Sequence, residues 1–217
     1  FKVHHQFAGS DAARRADLRA ALENPDIKAV ICARGGYGTA RIIDDIDFSV
    51  LDRNPKWVAG YSDVTALHSH IYNKAGLQSI HGTMPVNFAD NTPESLESLR
   101  LLLTGNFLSY TAPSHRLNRT GKAEGVMLGG NLSVLYSMAA SASELNTAGA
   151  VLFLEDLDEY LYHIDRMMLA LKRADKLAKL AGLVVGGMTD MRDNAMPFGK
   201  TAEEIIAEHT AAYAYPV

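Results

Sequence analysis

The sequence predicts an α/β protein with an N-terminal doubly wound, mostly parallel sheet domain and a smaller C-terminal α/β domain. Three observations predict it. Short apolar runs such as Ile27–Ala33, Ala150–Leu154 and Leu183–Gly187 lack the polar alternation of a half-exposed strand, as expected of parallel strands covered on both faces. Between them lie longer amphipathic stretches, giving a repeated strand, helix, strand order. Between Asn106 and Gly130 the character changes to turns and short extended pieces, with Pro113, Gly121 and Gly125. We place a domain boundary there, giving 1–115 and 116–217.

Composition narrows the class. The 217 residues carry 21 basic and 25 acidic side chains for a net charge of -4, with 47% hydrophobic content, ordinary for a globular chain. No run of either sign offers a face for nucleic acid or anionic lipid. A single cysteine, Cys32, excludes an internal disulfide framework and suits a reducing compartment. No apolar run approaches the roughly 20 residues of a membrane helix, and no signal peptide opens the chain. The chain begins without methionine, already alternating like a strand over Phe1–Phe7, so loss of an upstream portion is expected, and a secretion signal could have gone with it.

Taken in order, Gly9-Ser10-Asp11 reads as a turn and cap, and Ala12–Leu22 as a helix closed by Asn24-Pro25. Ile27–Ala33 is the next strand, leading into Arg34-Gly35-Gly36-Tyr37-Gly38 and a helix start over Thr39–Ile43. Phe48–Arg53 reads as a short helix broken at Asn54-Pro55. Trp57–Ala59 is a strand, Ser62 opens a helix ending near Lys74-Ala75-Gly76, and Leu77–His81 is the following strand. Asn91–Thr104 is helical. In the second region Leu132–Ala140 is a helix, Ala150–Leu154 a strand, Ile164–Ala178 a basic amphipathic helix and Leu183–Gly187 a strand. Thr201–Tyr213 is the last helix, and a further strand is expected to start at Ala214–Val217.

Two corners carry candidate chemistry. Adjacent glycines at a strand's carboxyl end let backbone N–H groups approach a ligand, and a helix start favours negative charge, so Gly35-Gly36 is a candidate oxyanion or phosphate site. It lacks the spacing of a dinucleotide fingerprint and the lysine of a P-loop. At Gly60-Tyr61-Ser62-Asp63-Val64 a hydroxyl stands at a strand-to-helix turn, as in a nucleophile elbow, with Val64 in place of the last glycine. The competing reading is an ordinary serine N-cap. Both corners fall at carboxyl ends of neighbouring strands, where ligands gather in such sheets.

The carboxylates Glu155, Asp156, Asp158 and Glu159 follow the strongly apolar strand; they are candidates for a catalytic acid or simply a solvated helix start. Met167 and Met168 are read as core. Eight histidines do not make a metal motif, since His68 and His70 on one helix point about 200° apart. Cys32 lies within its strand and reads as a buried, inert thiol.

Four stretches in order then match a known family: Cys32-Ala33-Arg34-Gly35-Gly36-Tyr37-Gly38-Thr39-Ala40-Arg41, Gly60 to Leu67, Gly129-Gly130-Asn131-Leu132, and Leu154-Glu155-Asp156 with Tyr162-His163-Ile164-Asp165-Arg166-Met167. They resemble the LD-carboxypeptidases, or muramoyltetrapeptide carboxypeptidases, a serine peptidase group that includes microcin-immunity peptidases. The resemblance implies Ser62 as nucleophile, an oxyanion hole from Gly35, Gly36 and the N–H of Asp63, and a Ser-Glu-His triad. Its acid is Glu155, with Glu159 in reserve. Arg34, Tyr37 and Asn131 are the implied substrate-binding residues.

It further implies a murein tetrapeptide or related peptide substrate, release of terminal D-alanine, no metal or organic cofactor, cytoplasmic location and a homodimer. Neither nucleic acid nor membrane is an expected partner. In the family the triad histidine follows in a Gly- and Pro-rich segment near the C-terminus, and none of the eight histidines matches it. The chain is therefore expected to be truncated at both ends and, alone, nearly inactive. The alternatives are a peptidase giving immunity to a peptide–nucleotide antibiotic and a non-catalytic muropeptide-binding module.

Overall fold

The computed structural model describes residues 3–217. It forms two compact units: one holds the chain to Tyr110 together with Ala140–Glu144, the other Thr111–Ala139 and Leu145–Val217. The return of a five-residue piece to the first unit has no signature in the local sequence pattern.

The first unit contains a three-stranded parallel sheet in the order β1 (Ala29–Ile31), β2 (Trp57–Gly60), β3 (Ile80–His81). Register pairs Ile31 with Ala59 and Gly60 with His81. Helix α1 (Asp11–Glu23) begins at Ser10, whose hydroxyl accepts from the Ala13 N–H, and α2 (Val50–Arg53) is one turn long. Helix α3 (Thr65–Ala75) is buried from Thr65 through Ile71 and stops at Gly76, left-handed at φ 63°, the residue type that closes helices most readily. Helix α4 (Pro93–Leu103) starts with the proline at its first position, where its missing N–H removes no intrahelical bond. Ala59, Ile80 and Leu99 form a buried cluster with Trp57 and Leu102 against it.

The piece Ala140–Glu144 is held by side chains of α3. His70 Nδ1 lies 2.8 Å from the Ser143 hydroxyl, and Asn73 Nδ2 donates to the carbonyls of Ala142 and Glu144 at 3.3 and 2.9 Å. His70 is buried, which lowers its pKa and keeps the ring neutral, so a hydroxyl partner fits it better than a charge would.

The second unit repeats the parallel plan with β4 (Met127–Asn131), β5 (Val151–Leu157) and β6 (Gly182–Thr189), in that order. Helices α5 (Leu132–Ser137), α6 (Leu161–Arg173) and α7 (Ala202–Thr210) complete it. Its core joins Leu152 and Leu154 of β5 to Ile164, Met167 and Met168 of α6 and Ile205 and Ile206 of α7, all at most 2% exposed. Both methionines are thus core, as the sequence implied. Thr201 and Glu204 exchange side-chain-to-backbone bonds at the start of α7, a capping box.

Several expected elements are redrawn. Over Val3–Phe7 the described chain makes one antiparallel bridge, His4 to Phe7, rather than a strand, because consecutive polar His4, His5 and Gln6 offer no apolar face; Phe1 and Lys2 lie outside the described residues. The extended piece expected over Ala214–Val217 is not a strand, although Leu183 donates to the Pro216 carbonyl and Arg119 and Val217 exchange backbone bonds. No strand forms between Asn106 and Val126. Strand β5 continues to Leu157, so Glu155 and Asp156 lie inside the sheet, and α6 starts at Leu161 and ends at Arg173. No helix among the described residues is long and apolar enough to cross a membrane.

At Gly129, φ is 131° and an added Cβ would stand 1.9 Å from the Phe153 carbonyl oxygen. A side chain there collides with the backbone of β5, which cannot yield without breaking the ladder. Gly129→Ala is expected to lower stability by about 3 kcal/mol or more, read as a fall in the urea midpoint.

Candidate active site

Parallel pairing puts both sequence-marked corners on one edge of the first sheet. The Cys32 N–H donates to the Ala59 carbonyl at 2.9 Å, extending the β1–β2 ladder to the point where each strand turns. The glycine turn then passes against Ser62: a Cβ built on Gly35 would lie 3.0 Å from Ser62 Cβ and 3.2 Å from its Oγ. Gly35 is needed for this approach. Gly36, at φ 124°, has open space where a side chain would stand.

Ser62 has φ 62°, in the left-handed region that costs a residue with a side chain about 1–2 kcal/mol. It opens a single 3-10 turn, Ser62–Val64, that runs directly into α3, and no side chain caps either element. The ordinary N-cap reading of Ser62 is therefore corrected: its hydroxyl caps nothing, and the preceding Tyr61 occupies the cap position. The turn is tight enough that a Cβ on Gly60 would meet Val64 Cγ2 at 2.8 Å.

Three side chains brace the corner. His68 Nε2 lies 2.9 Å from the Gly60 carbonyl; a carbonyl only accepts, so Nε2 carries the proton of a ring kept neutral by burial. Tyr61 donates its hydroxyl to Asn87 Oδ1 at 2.8 Å. The Asp63 carboxylate accepts from both the N–H and the hydroxyl of Thr39, at 2.9 and 2.7 Å. The last bond ties the segment after the glycine turn to the residue after Ser62. Sequence reasoning missed it, since the two are 24 positions apart.

Arg34 and Tyr37 flank the glycines and are exposed, Tyr37 with its ring 6.0 Å from that of Phe7. Cys32 is largely buried, and burial, with the nearby negative Asp63 second, pushes its thiol up to about 11, consistent with an inert role. Among the described residues no group of three or more His, Cys, Asp or Glu could hold a metal ion.

In the second unit Glu155 pairs in register with Asn131. Burial, and next the charge of Asp156, push Glu155 up to about 7, while a hydrogen bond from Asn131 pulls the other way. Asn131 itself is 6% exposed. Its Nδ2 donates to Asp156 Oδ1 at 2.8 Å, and its Oδ1 accepts from the Ser133 hydroxyl and the Val134 N–H at 2.8 and 3.1 Å, capping α5. The reserve carboxylate Glu159 is already bonded to His163, Oε2 to Nδ1 at 2.6 Å. Sequence reasoning passed over Asp156, which it grouped with solvated carboxylates, and over Gly186-Gly187, whose adjacency within a strand was the available signal of an irregularity.

A strained serine at a strand-to-helix corner, with a glycine turn pressed against its side chain, is the arrangement of a nucleophile elbow in an α/β protein. Residues 1–82 match the LD-carboxypeptidase N-terminal domain and residues 124–217 the LD-carboxypeptidase C-terminal domain, so the chain belongs to that family.

The relative named "Probable murein peptide carboxypeptidase" of Bacillus subtilis is 42% identical over 187 residues, 84% of this chain and 59% of that protein. The chain thus spans well under two thirds of that relative's length. The microcin C7 self-immunity protein of Escherichia coli is 27% identical, covering 82% of this chain and 61% of its own. Among solved structures, a muramoyltetrapeptide carboxypeptidase from Oxalobacter formigenes superposes with a TM-score of 0.88 at 29% identity, over 99% of this chain and 74% of that one.

Two outcomes are expected of variants here. Glycine tolerates the left-handed region that alanine does not, so Ser62→Gly should be more stable than Ser62→Ala by about 1 kcal/mol in chemical denaturation. Glu155 has a folded value of about 7 against an ordinary 4.5, so it costs the fold nothing in acid, progressively more as pH rises between those values, and a constant amount above. Glu155→Gln should therefore raise the melting temperature at pH 8 and leave it nearly unchanged at pH 4.

Proposed function

We propose that this protein is a serine carboxypeptidase that hydrolyses the L,D-peptide bond releasing terminal D-alanine from murein tetrapeptides. The observation that carries this reading is the left-handed Ser62 with Gly35 against its side chain. Such strain is retained where the surroundings enforce it, and here it holds a hydroxyl off the helix it precedes. Ser62 Oγ attacks the carbonyl carbon as its proton passes to the triad base, and the N–H groups of Gly35, Gly36 and Asp63 receive the developing oxyanion. Collapse of that intermediate breaks the C–N bond, and D-alanine leaves with the proton on its amine. The acyl-enzyme is then cleared by water. No metal or organic cofactor enters this reading.

The exposed Arg34 guanidinium, next to Gly35, is the group we assign to the free carboxylate every carboxypeptidase substrate carries, with Tyr37 beside it. Asn131 would reach substrate only by exchanging one of its present bonds. Glu155 is the triad carboxylate in our reading; Glu159, engaged by His163, is the less suited. We assign the base to none of the eight histidines. His68 and His70 are buried against internal partners, and His163 and His209 are committed to Glu159 and Asp165. On this reading the 217 residues alone turn over substrate little, since loss of a triad member costs on the order of a million-fold. We place the activity in cytoplasmic wall recycling, in a homodimer.

The test is D-alanine release from a murein tetrapeptide by this protein and by a version extended to its relatives' length. Turnover by the longer version, reduced about 10⁶-fold by Ser62→Ala, is the expected result. Turnover by the shorter one that Ser62→Ala abolishes would displace the base assignment while leaving the nucleophile. Binding without turnover in the longer version, surviving Ser62→Ala, would favour the muropeptide-binding module. The microcin self-immunity relative supports the alternative of an immunity peptidase, and competition between tetrapeptide and an acyl-sulfamoyl adenylate separates the two. Because protonation removes the charge that steadies an imidazolium, turnover should fall as pH drops through about 7.

A further inference from the structure

Glu155 sits at a fault in its sheet. Leu154 pairs with Val185 but Asp156 pairs with Met188, so two residues of β6, Gly186 and Gly187, oppose the single residue Glu155. Bulges are over-represented beside active sites, where they re-aim a side chain, and they are rare between parallel strands. A side chain at the first position would be crowded, because a Cβ on Gly186 would stand 2.9 Å from the Phe153 ring and 3.3 Å from Glu155 Cβ.

The neighbouring carboxylate is treated differently. Asp156 is 3% exposed and accepts three N–H donors: Asn131 Nδ2 and the Leu157 N–H on Oδ1, at 2.8 and 2.9 Å, and the Ser133 N–H on Oδ2 at 2.9 Å. Two of those donors are main-chain amides, which have no acceptor role to offer a protonated acid. Donors of this kind favour the ionised form. Burial raises the pKa of Asp156 and the charge of Glu159 adds to that, the three donors lower it, and the balance stays above the ordinary aspartate value. Facing Glu155 itself are the Asp156 charge from its own strand, the Asn131 amide from β4 and the uncharged glycines of β6.

We propose that Asp156 is a positioning residue for Glu155: it stays ionised as the hub holding Asn131 and the start of α5, and, with the Gly186-Gly187 bulge aiming Glu155, its fixed charge makes Glu155 the first of the pair to take up a proton as pH falls. This deepens the reading of Glu155 as the triad carboxylate and rests on that reading for its catalytic meaning. The physical content stands apart from it. A buried carboxylate and the half-buried one beside it cannot both be charged cheaply, and the donor set decides which one yields.

The experiment follows the ¹³C side-chain carboxyl resonances of Glu155 and Asp156 against pH in the wild-type protein, which needs no variant to fold. Glu155 should titrate near 7 while Asp156 remains ionised through that range. Proton uptake by Asp156 first, or titration of Glu155 in the ordinary carboxylate range, would overturn the proposal. Asp156→Asn, with its fold checked by circular dichroism, should lower the Glu155 midpoint by about one pH unit or more; an unmoved midpoint in a folded variant rejects it. Gly186→Ala leaves both carboxylates in place and should shift Glu155 but not Asp156, the reverse pattern counting against the bulge's role. No turnover is measured, so failure of the hydrolase reading and failure of this one are separately visible.

Discussion

The site in the first unit depends on one constraint: β1 and β2 are parallel and adjacent, with their ladder continued by the Cys32-to-Ala59 bond. Two strands that end together must send their chains out at the same sheet edge. The turn after β1 passes close enough to the turn after β2 that a side chain at Gly35 would crowd Ser62, and Ser62 itself enters the left-handed region. The glycine and the strained serine meet at one corner.

The surroundings are built to hold that corner in place. Asp63 binds the backbone and hydroxyl of Thr39, His68 and Tyr61 fix the two residues before the serine, and α3 buries seven consecutive residues from Thr65 to Ile71. Each bond is modest by itself, about 1 kcal/mol net for a neutral pair, but together they exceed what a single left-handed residue costs. In the second unit a bulge, an amide and a hub carboxylate converge on Glu155 in place of a strained turn.

Much of this was legible. Local apolar runs and helix formers place five of the six strands and the main helices close to where they form, β4 alone being lost in the turn-rich stretch before Asn131, and the glycine pair and Ser62 stand out because few residue types suit such corners. The family resemblance rests on the same stretches. What was not legible is tertiary. The N-cap reading of Ser62 is locally sound and fails because helix α3 must fold back across Gly60. The carboxylates after Leu154 read as a solvated helix start because nothing nearby in sequence announces that Gly186 and Gly187 extend the strand opposite them. Alternation over Val3–Phe7 looked like a strand but lacked an apolar face to bury.

The excursion of Ala140–Glu144 into the first unit means that the polypeptide crosses between the two units three times rather than once. A protein joined by a single linker can be dissected there into autonomous pieces. Here a cut between Tyr110 and Thr111 would strip the first piece of the Ser143 and Asn73 attachments and leave the second carrying an orphaned stretch whose partners, His70 and Asn73, are gone. The two family domains are thus separate as homologous segments, but the compact units of the fold are not contiguous stretches of chain, so no single cut divides the polypeptide into them.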